Sequence, residues 1–285
     1  MTGAAFRERY GPWALVAGAS EGLGEAFARA LAARGLDLVL VARRAAPLRA
    51  LAARLRREHG VEARAVAIDL SRRPGPAALL RAVARLEIGL LVAGAARSPI
   101  GPFLALPPAE LDGMLDLNCR APACLALGLG GRMAARGRGG IVLLGSMAGF
   151  QGAARVAHYA ATKAYLQVLA EGLWAELGPA GVDALACCAG PVRTPTFERS
   201  AARRIGLLAP PVMEADAVAA ETLAALGRGP IVIPGTRNRC AAALTTRLLP
   251  RRTAVALVSA ATRAMYPAPG RAESRPRRAR ARGAG

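Results

Sequence analysis

Lysine is almost missing from this chain. Of the 39 lysine and arginine residues in its 285 positions, all but Lys163 are arginine. Arginine is always protonated and rigidly forked, so it supplies fixed charge and cannot titrate; lysine is a compact ammonium whose pKa moves with its surroundings. A single lysine in such a background is a candidate for chemistry rather than solubility. Asparagine is as scarce, at Asn118 and Asn238 only. Acidic residues are few, 19 against 39 basic, which leaves a net charge of +20. About a quarter of that excess sits in Arg271–Arg282, and the rest is spread without a dense basic run. Charge of this kind reports solubility and non-specific attraction, so no nucleic-acid partner is expected. The hydrophobic fraction is 53%, much of it alanine, with 4% aromatics. No apolar run approaches the ~20 residues of a membrane span, and Met1–Arg7 has no apolar signal core. Cysteine is neither paired in number nor spaced as CxxC: Cys119, Cys124, Cys187, Cys188 and Cys240. That excludes a disulfide framework and a thiolate metal site, and fits reduced thiols in a cytoplasmic protein.

What is present alternates regularly. Apolar runs at Trp13–Ala17, Leu36–Ala42, Ala63–Ile68, Gly89–Val92, Ile141–Leu144, Val182–Cys187 and Ile231–Ile233 read as strands. Between them lie helical segments, including 47–59, 77–86, a long region over 107–136 broken near Pro122, 159–177 and one within 212–226. Strands that are apolar throughout and alternate with helices predict an α/β fold: one doubly wound domain, a seven-stranded parallel sheet with helices on both faces. The domain spans 1–266. It includes a proline-rich flap over 191–213 and a basic helical segment over 239–266 broken at Pro250. That segment suits packing on the domain edge or an oligomer contact, and alternatively weak adhesion to an anionic membrane surface. Residues 267–285 carry no apolar periodicity and are expected to be a basic, disordered tail.

In such sheets ligands bind outside the carboxyl ends of the strands. Gly18, Gly22 and Gly24 follow the first strand and open a helix, so backbone N–H groups there face a phosphate at a positive helix end. The turn residues Gly18, Ser20, Glu21, Gly22, Leu23 and Gly24 are candidates for holding a dinucleotide. An NAD site places an acid at the end of the second strand. Here that end carries Arg43 and Arg44, which suit a 2′-phosphate, so NADP(H) is favoured over NAD(H). Further on, Tyr159 and Lys163 stand one turn apart on a predicted helix. An ammonium ~4 Å from a phenol contributes on the order of 4 kcal/mol at an effective dielectric of ~20, enough to lower the phenol by up to ~3 units before desolvation subtracts. His158 points about 100° away from Tyr159 and reads as structural.

Taken in order, these residues resemble the short-chain dehydrogenase/reductase family of core type, over residues 11–235. The opening Tyr-Gly-Pro-Trp and the Val-Ala-Arg-Arg end of strand two resemble the branch with 3-oxoacyl and 17β-hydroxysteroid type reductases. The resemblance implies a Rossmann fold and a homodimer or homotetramer. It also implies hydride transfer between nicotinamide and a small-molecule carbonyl or secondary alcohol. It assigns the catalytic set to Asn118, Ser146, Tyr159 and Lys163. Asp69 and Leu70 would meet the adenine, and Val192 and Thr194, in the Gly190–Thr194 loop, the nicotinamide amide. Tyr159 and Lys163 would contact the cofactor as well as the substrate. Tyr159 would be the acid/base, Ser146 would hold the substrate oxygen, and Asn118 a water joining Lys163 to solvent. Two departures stand out: Ala17 replaces a threonine, and Ala93-Gly94 replaces an asparagine pair. A non-catalytic dinucleotide sensor or scaffold on the same fold is the competing reading; it has no need of serine, tyrosine and lysine together. The flap mixes Phe197, Ile205, Leu207 and Leu208 with arginines, and admits a lipophilic ketone or an acyl thioester with phosphate.

Overall fold

The central apolar runs become strands because neither of their faces meets water, whereas the Ala63–Ala67 run, with Arg64 exposed, forms a sheet edge. The computed structural model describes residues 2–200 and 211–266. The chain opens with α1 (Gly3–Tyr10), capped by the Thr2 hydroxyl, then β1 (Trp13–Ala17), buried throughout. It continues through α2 (Gly22–Ala32), β2 (Asp37–Ala42), α3 (Ala45–His59), β3 (Ala63–Ala67), α4 (Gly75–Ala82) and β4 (Ile88–Ala93). Next come α5 (Pro108–Met114), a wider π-wound stretch over Leu115–Arg120, α6 (Ala121–Arg136), β5 (Gly139–Leu143), α7 (Ala157–Leu177) and β6 (Val182–Cys187). The last elements are β7 (Val192–Arg193), α8 (Pro195–Arg199), β8 (Met213–Glu214), α9 (Ala215–Ala225), β9 (Ile231–Val232), α10 (Thr236–Ala243) and α11 (Arg251–Met265).

Seven strands form one sheet in the order β3-β2-β1-β4-β5-β6-β9, every neighbouring pair parallel. Alternate residues of each strand feed two cores. Ala14, Val16, Leu38 and Leu40 pack with Phe27, Leu31, Leu48 and Val218 on the α2/α3/α9 face. Leu15, Val39 and Leu91 pack with Leu125, Leu129, Met133 and Leu166 on the α4/α6/α7 face. That period of two, covered on both sides, is what makes the runs apolar throughout. The strand order reverses between β1 and β4, so their carboxyl ends part and leave a crevice there.

Three features go beyond the sequence pattern. Helix α1 buries only Phe6 and Tyr10 and is held from outside: the Tyr10 hydroxyl donates to Asp183 at 2.7 Å, and Arg9 pairs with the same carboxylate at 2.7 Å. The small β7–β8 ladder (Val192 with Met213, Arg193 with Glu214) closes the base of the flap. The long helix expected over 107–136 is three pieces. Part of the flap, including Arg203, Arg204, Ile205, Leu207 and Leu208, and the tail over 267–285 lie outside the described residues.

Candidate active site

The glycine turn is built by exclusion of side chains. Gly18 has φ +87°, and a Cβ there would sit 2.7 Å from the Ala95 nitrogen. A Cβ on Gly24 would sit 2.1 Å from the Gly18 carbonyl oxygen. Backbone therefore approaches backbone, and α2 starts without a side-chain cap on its first N–H groups, the arrangement that suits a phosphate. Ser20 and Leu23 are half-buried in this turn. Gly22 abuts the Thr194 loop: a Cβ on it would meet the Thr194 methyl at 3.0 Å. Thr194 itself caps α8, accepting from the Phe197 N–H at 3.2 Å.

The departures at Ala17 and Ala93-Gly94 are explained by the same close packing. The strand ends are braced main chain to main chain, Gly94 N–H to the Ala17 carbonyl at 2.9 Å and Leu144 N–H to the Ala93 carbonyl at 3.1 Å. A Cβ on Gly94 would strike Leu144 at 2.7 Å. Ala17, Ala93, Ala95, Leu70, Leu117 and Pro122 border a small apolar gap with no room for water. Leu70 is thus a core residue as well as a neighbour of Asp69.

At the end of β2 both arginines are exposed. Arg44 pairs with Glu21 at 2.8 Å, and Glu21 also holds Arg199 of α8 at 2.6 Å. The Arg199 bond, ahead of Arg44 and against the cost of burial, keeps the Glu21 carboxyl low. Asp69 accepts from the Ser71 N–H (3.0 Å) and hydroxyl (2.7 Å). Burial works against its charged form, but those bonds and the nearby Arg43 and Arg72 outweigh it, and its pKa is lowered.

Asn118 is fully buried. Its carboxamide accepts from the Arg97 N–H at 2.8 Å, donates to the Arg97 carbonyl at 2.9 Å and donates to the Thr162 hydroxyl at 3.1 Å. The side chain pins the segment after β4 to α7. It sits in the π-wound stretch, whose bonds run from residue i to i−5, ending with Ala121 N–H to the Asp116 carbonyl. The next donor in line is Pro122, which has no N–H. It leaves the Leu117 carbonyl without its π partner and the Asn118 carbonyl without its α partner.

Ser146 follows β5, its hydroxyl accepting from Ala148 N–H at 3.2 Å and lying 3.5 Å from the Ala189 carbonyl. Tyr159 and Lys163 lie on one face of α7, with Nζ 5.6 Å from the Tyr159 ring centroid. Lys163 is 4% exposed and donates to the Leu144 carbonyl at 2.6 Å. Its surroundings are Cys119, Cys187 and Cys188, with no carboxylate among the groups acting on it. Burial pulls its pKa down to about 8, and burial pushes the Cys187 thiol up to about 11. Tyr159 goes against the expectation from its spacing. Burial pushes the phenol up to about 12, while Ser146 favours the anion and Tyr266 opposes it. The ammonium directs its hydrogen bond to Leu144 rather than to the phenol, so desolvation wins and the phenol is an acid at neutral pH. His158 turns away to α5, 3.2 Å from the Leu111 carbonyl.

Several supporting residues carry no motif. Gln167 donates to the Ser146 carbonyl at 2.7 Å. Asn238 backs the Gly190 loop, where a Cβ on Gly190 would sit 2.9 Å from its amide nitrogen. Val192 is half-buried in β7 on that loop. The common signal is rarity: Asn118, Asn238, Gln151 and Gln167 are all the carboxamides in the chain, and all four are buried. The glycine turn, Arg43–Arg44, Asp69, Ser146 and the Thr194 loop follow carboxyl ends of strands, as the topology requires, and Asn118 reaches that edge from the π-wound stretch through Arg97.

The family model of short chain dehydrogenases matches residues 12–204. A 7β-hydroxysteroid dehydrogenase of Clostridium sardiniense is 35% identical over 192 residues, covering 67% of this chain and 74% of that protein. A very-long-chain 3-oxoacyl-CoA reductase of Podospora anserina is 37% identical over 178 residues, 61% of this chain; the chain spans about half of that reductase, 52%. Among solved structures, a short-chain dehydrogenase from Sphingobium yanoikuyae in complex with NADPH superposes with a TM-score of 0.73 at 36% identity, over 79% of this chain and 88% of that one. A 7β-hydroxysteroid dehydrogenase superposes with a TM-score of 0.82 at 26% identity, over 89% and 98%.

Proposed function

This chain belongs to the short chain dehydrogenase family and is an NAD(P)-dependent oxidoreductase; from that premise we propose that it is an NADP(H)-dependent reductase of a lipophilic ketone, or the corresponding alcohol dehydrogenase, with Tyr159 as acid/base. The observation that carries this reading is the corner formed by Ser146, Tyr159 and the buried Lys163. A non-catalytic scaffold gains nothing from burying its one lysine, at the cost of a lowered pKa, beside a phenol.

NADPH, when bound, supplies the hydride. The residues fit it: the glycine turn is a cradle that any Cβ would fill, and Arg43 and Arg44 offer guanidiniums to a 2′-phosphate. Gly18, Ser20, Glu21, Gly22, Leu23 and Gly24 would hold the pyrophosphate end, Asp69 and Leu70 the adenine end, and Val192, Thr194, Tyr159 and Lys163 the nicotinamide end. Ser146 orients the carbonyl oxygen, and Tyr159 donates the proton to it in reduction or removes it in oxidation. Lys163 replenishes that proton. Asn118 acts here through position. Its amide is fully engaged, so a water joining Lys163 to solvent would be held by main-chain carbonyls such as those of Leu117 and Asn118, from each of which Pro122 removes one ladder donor.

The reading is tested by titrating the protein with NADPH and NADH by calorimetry, then assaying a ketone panel at the nicotinamide absorbance. The expected result is tighter binding of NADPH. The double variant Arg43→Ala/Arg44→Ala should weaken NADPH by about 10- to 100-fold, the equivalent of a charge-assisted bond worth about 1.5–3 kcal/mol, and leave NADH within a factor of about two. Binding of neither nucleotide would sink the enzyme reading, and equal losses for both would remove the role of the arginines.

We also propose a homo-oligomer built on α6 and α7. Leu127 is 81% exposed and Val168 67%, with Leu115, Tyr165 and Trp174 also open to solvent. Along α7, Ala161, Tyr165, Val168 and Gly172 make one stripe at helical spacing, a face suited to another helix pair. Val168→Arg is expected to shift the mass measured by light scattering to that of a monomer; an unshifted oligomer would place the interface elsewhere.

A further inference from the structure

Large apolar side chains open to solvent fall into two groups among the described residues. One is the α6/α7 face described above. The other is Ile100, Phe103, Leu104, Leu244, Leu248 and Leu257, of which Leu104 is 96% exposed and Leu248 74%. These six come from two distant stretches of chain, and hydrogen bonds join both stretches to the loop between Ser146 and Tyr159. The Gly101 N–H donates to the Arg155 carbonyl at 2.9 Å; next to it, the Ala154 N–H donates to the Ser259 hydroxyl of α11 at 3.1 Å. Arg251, at the start of α11, donates to the Phe150 carbonyl at 2.8 Å. The six side chains therefore rim one loop.

Helix α11 repeats the pattern on its outer face. Ala254 and Ser259 are buried against the body. Away from them Thr253, Ala256, Leu257 and Ala260 recur at helical spacing, all exposed. An edge helix that meets only water carries charged and polar residues on that face. Here the outer stripe is mostly apolar, and Arg252 and Arg263, about three turns apart, border it on one side. Charge is segregated as well. No aspartate or glutamate occurs in 98–109, 147–158 or 236–266, the segments that make the rim, while 236–266 carries six arginines. The sequence past Tyr266 adds six more over Arg271–Arg282, against one glutamate.

We propose that this rim is a docking surface for an anionic lipid bilayer. The leucines and Phe103 enter the interface, and the arginines meet the headgroups. Apolar area and basic charge are the two signals that together hold a peripheral protein on a membrane. Each arginine near an anionic surface strengthens binding by roughly fivefold. A second copy of the chain fits the rim less well, because a two-fold contact would set arginines against arginines with no carboxylate to receive them. Nucleic acid would use the arginines but leave six apolar side chains in water. The proposal stands independently of the reductase reading. Where that reading holds, docking sets the loop between Ser146 and Tyr159 beside the lipid, the phase into which a lipophilic ketone partitions.

The test floats the full chain on phosphatidylcholine vesicles with and without one third phosphatidylglycerol. Partition should be at least about tenfold higher on the anionic vesicles. Leu104→Ser/Leu248→Ser leaves the net charge unchanged and should weaken that binding by about 10- to 100-fold, the range for keeping a leucine out of an apolar phase. Leu104→Trp and Leu248→Trp, made singly, report which face enters. Each new indole should be quenched by brominated lipid at least twice as strongly as the wild type, whose Trp13 is buried and whose Trp174 lies with the α6/α7 group. The tryptophan variants decide the matter even if the serine variant is unstable. Quenching no greater than in the wild type, or a folded serine variant that binds as the wild type does, would overturn the proposal and leave adhesion by net charge alone. Absence of binding to either vesicle would overturn it as well. A lower mass for the serine variant by light scattering would then give the rim to a second copy of the chain. Single-stranded RNA bound more tightly than the anionic vesicles, and equally by the serine variant, would overturn it in favour of nucleic acid.

Discussion

Tyr159→Phe is expected to lower kcat for carbonyl reduction by about a thousandfold, within the ~10²–10⁴ that a positioned acid contributes, and to leave the NADPH dissociation constant within about twofold. Phenylalanine keeps the ring that stands 5.6 Å from the Lys163 ammonium and removes only the hydroxyl. Burial holds that hydroxyl near pKa 12, so it is protonated throughout the neutral range and is in the form that reduction needs. Oxidation needs the phenolate, whose fraction rises about tenfold per pH unit below the pKa. Alcohol oxidation by the wild type should therefore climb with pH across 7–9. Reduction should not share that climb. Stopped-flow measurement of nicotinamide absorbance in both directions checks the pair of slopes. Turnover by the phenylalanine variant at more than a tenth of the wild-type rate would remove Tyr159 from the acid's role.

The framework was legible because burial on both faces leaves a simple mark: strands such as Leu38–Val41 cannot hold a polar residue, and helices such as α7 must. The site was legible where chemistry imposes residue type. Gly18 and Gly24 admit no Cβ, and Lys163 stands alone in a chain otherwise built on arginine. Illegible parts depend on long-range contacts. Helix α1 survives on Tyr10 and Arg9 reaching Asp183, a partner more than 170 residues away. The π-wound stretch depends on Pro122 meeting a ladder already shifted by one residue. The family resemblance makes Asn118 a water ligand, but its partners at Arg97 and Thr162 exist only once β4 and α7 are side by side. The direction of the Tyr159 shift is hidden from the sequence for a related reason. Spacing shows that an ammonium is a turn away, but not that Leu144 takes its hydrogen bond or that Lys163 is buried beside a half-buried Tyr159. Scarcity is a further signal: Gln167, like Asn238, is one of four carboxamides in an arginine-rich chain, and it holds the backbone of Ser146.

Lys163→Met should inactivate the protein and at the same time remove a pH-dependent weakness in its stability. In the proposed relay Lys163 returns a proton to Tyr159, so without the ammonium kcat should fall by about 10²–10³-fold. The stability effect follows from the lowered pKa. Unfolded, a lysine titrates near its ordinary 10.5; folded, burial brings Lys163 to about 8. Between those values the unfolded chain binds more protons than the folded one, so wild-type stability rises with pH. The penalty for burying the charge is complete below pH 8 and fades as the pH climbs towards 10.5. From pH 7 to 9.5 this single group should add about 2 kcal/mol to the unfolding free energy, from a shift of that size at about 1.36 kcal/mol per unit. Methionine fills nearly the same volume and carries no proton, so the variant should lack that rise. The comparison is between slopes and not between absolute stabilities, because the substitution also leaves the Leu144 carbonyl without its 2.6 Å donor, at a cost of about 1–3 kcal/mol that is the same at every pH. Urea unfolding of both proteins across pH 7–9.5 measures the difference, because the tyrosines and cysteines that also titrate in this range are common to both chains. Parallel curves would mean that Lys163 titrates normally, and that the Cys119, Cys187 and Cys188 surroundings do not desolvate it in solution.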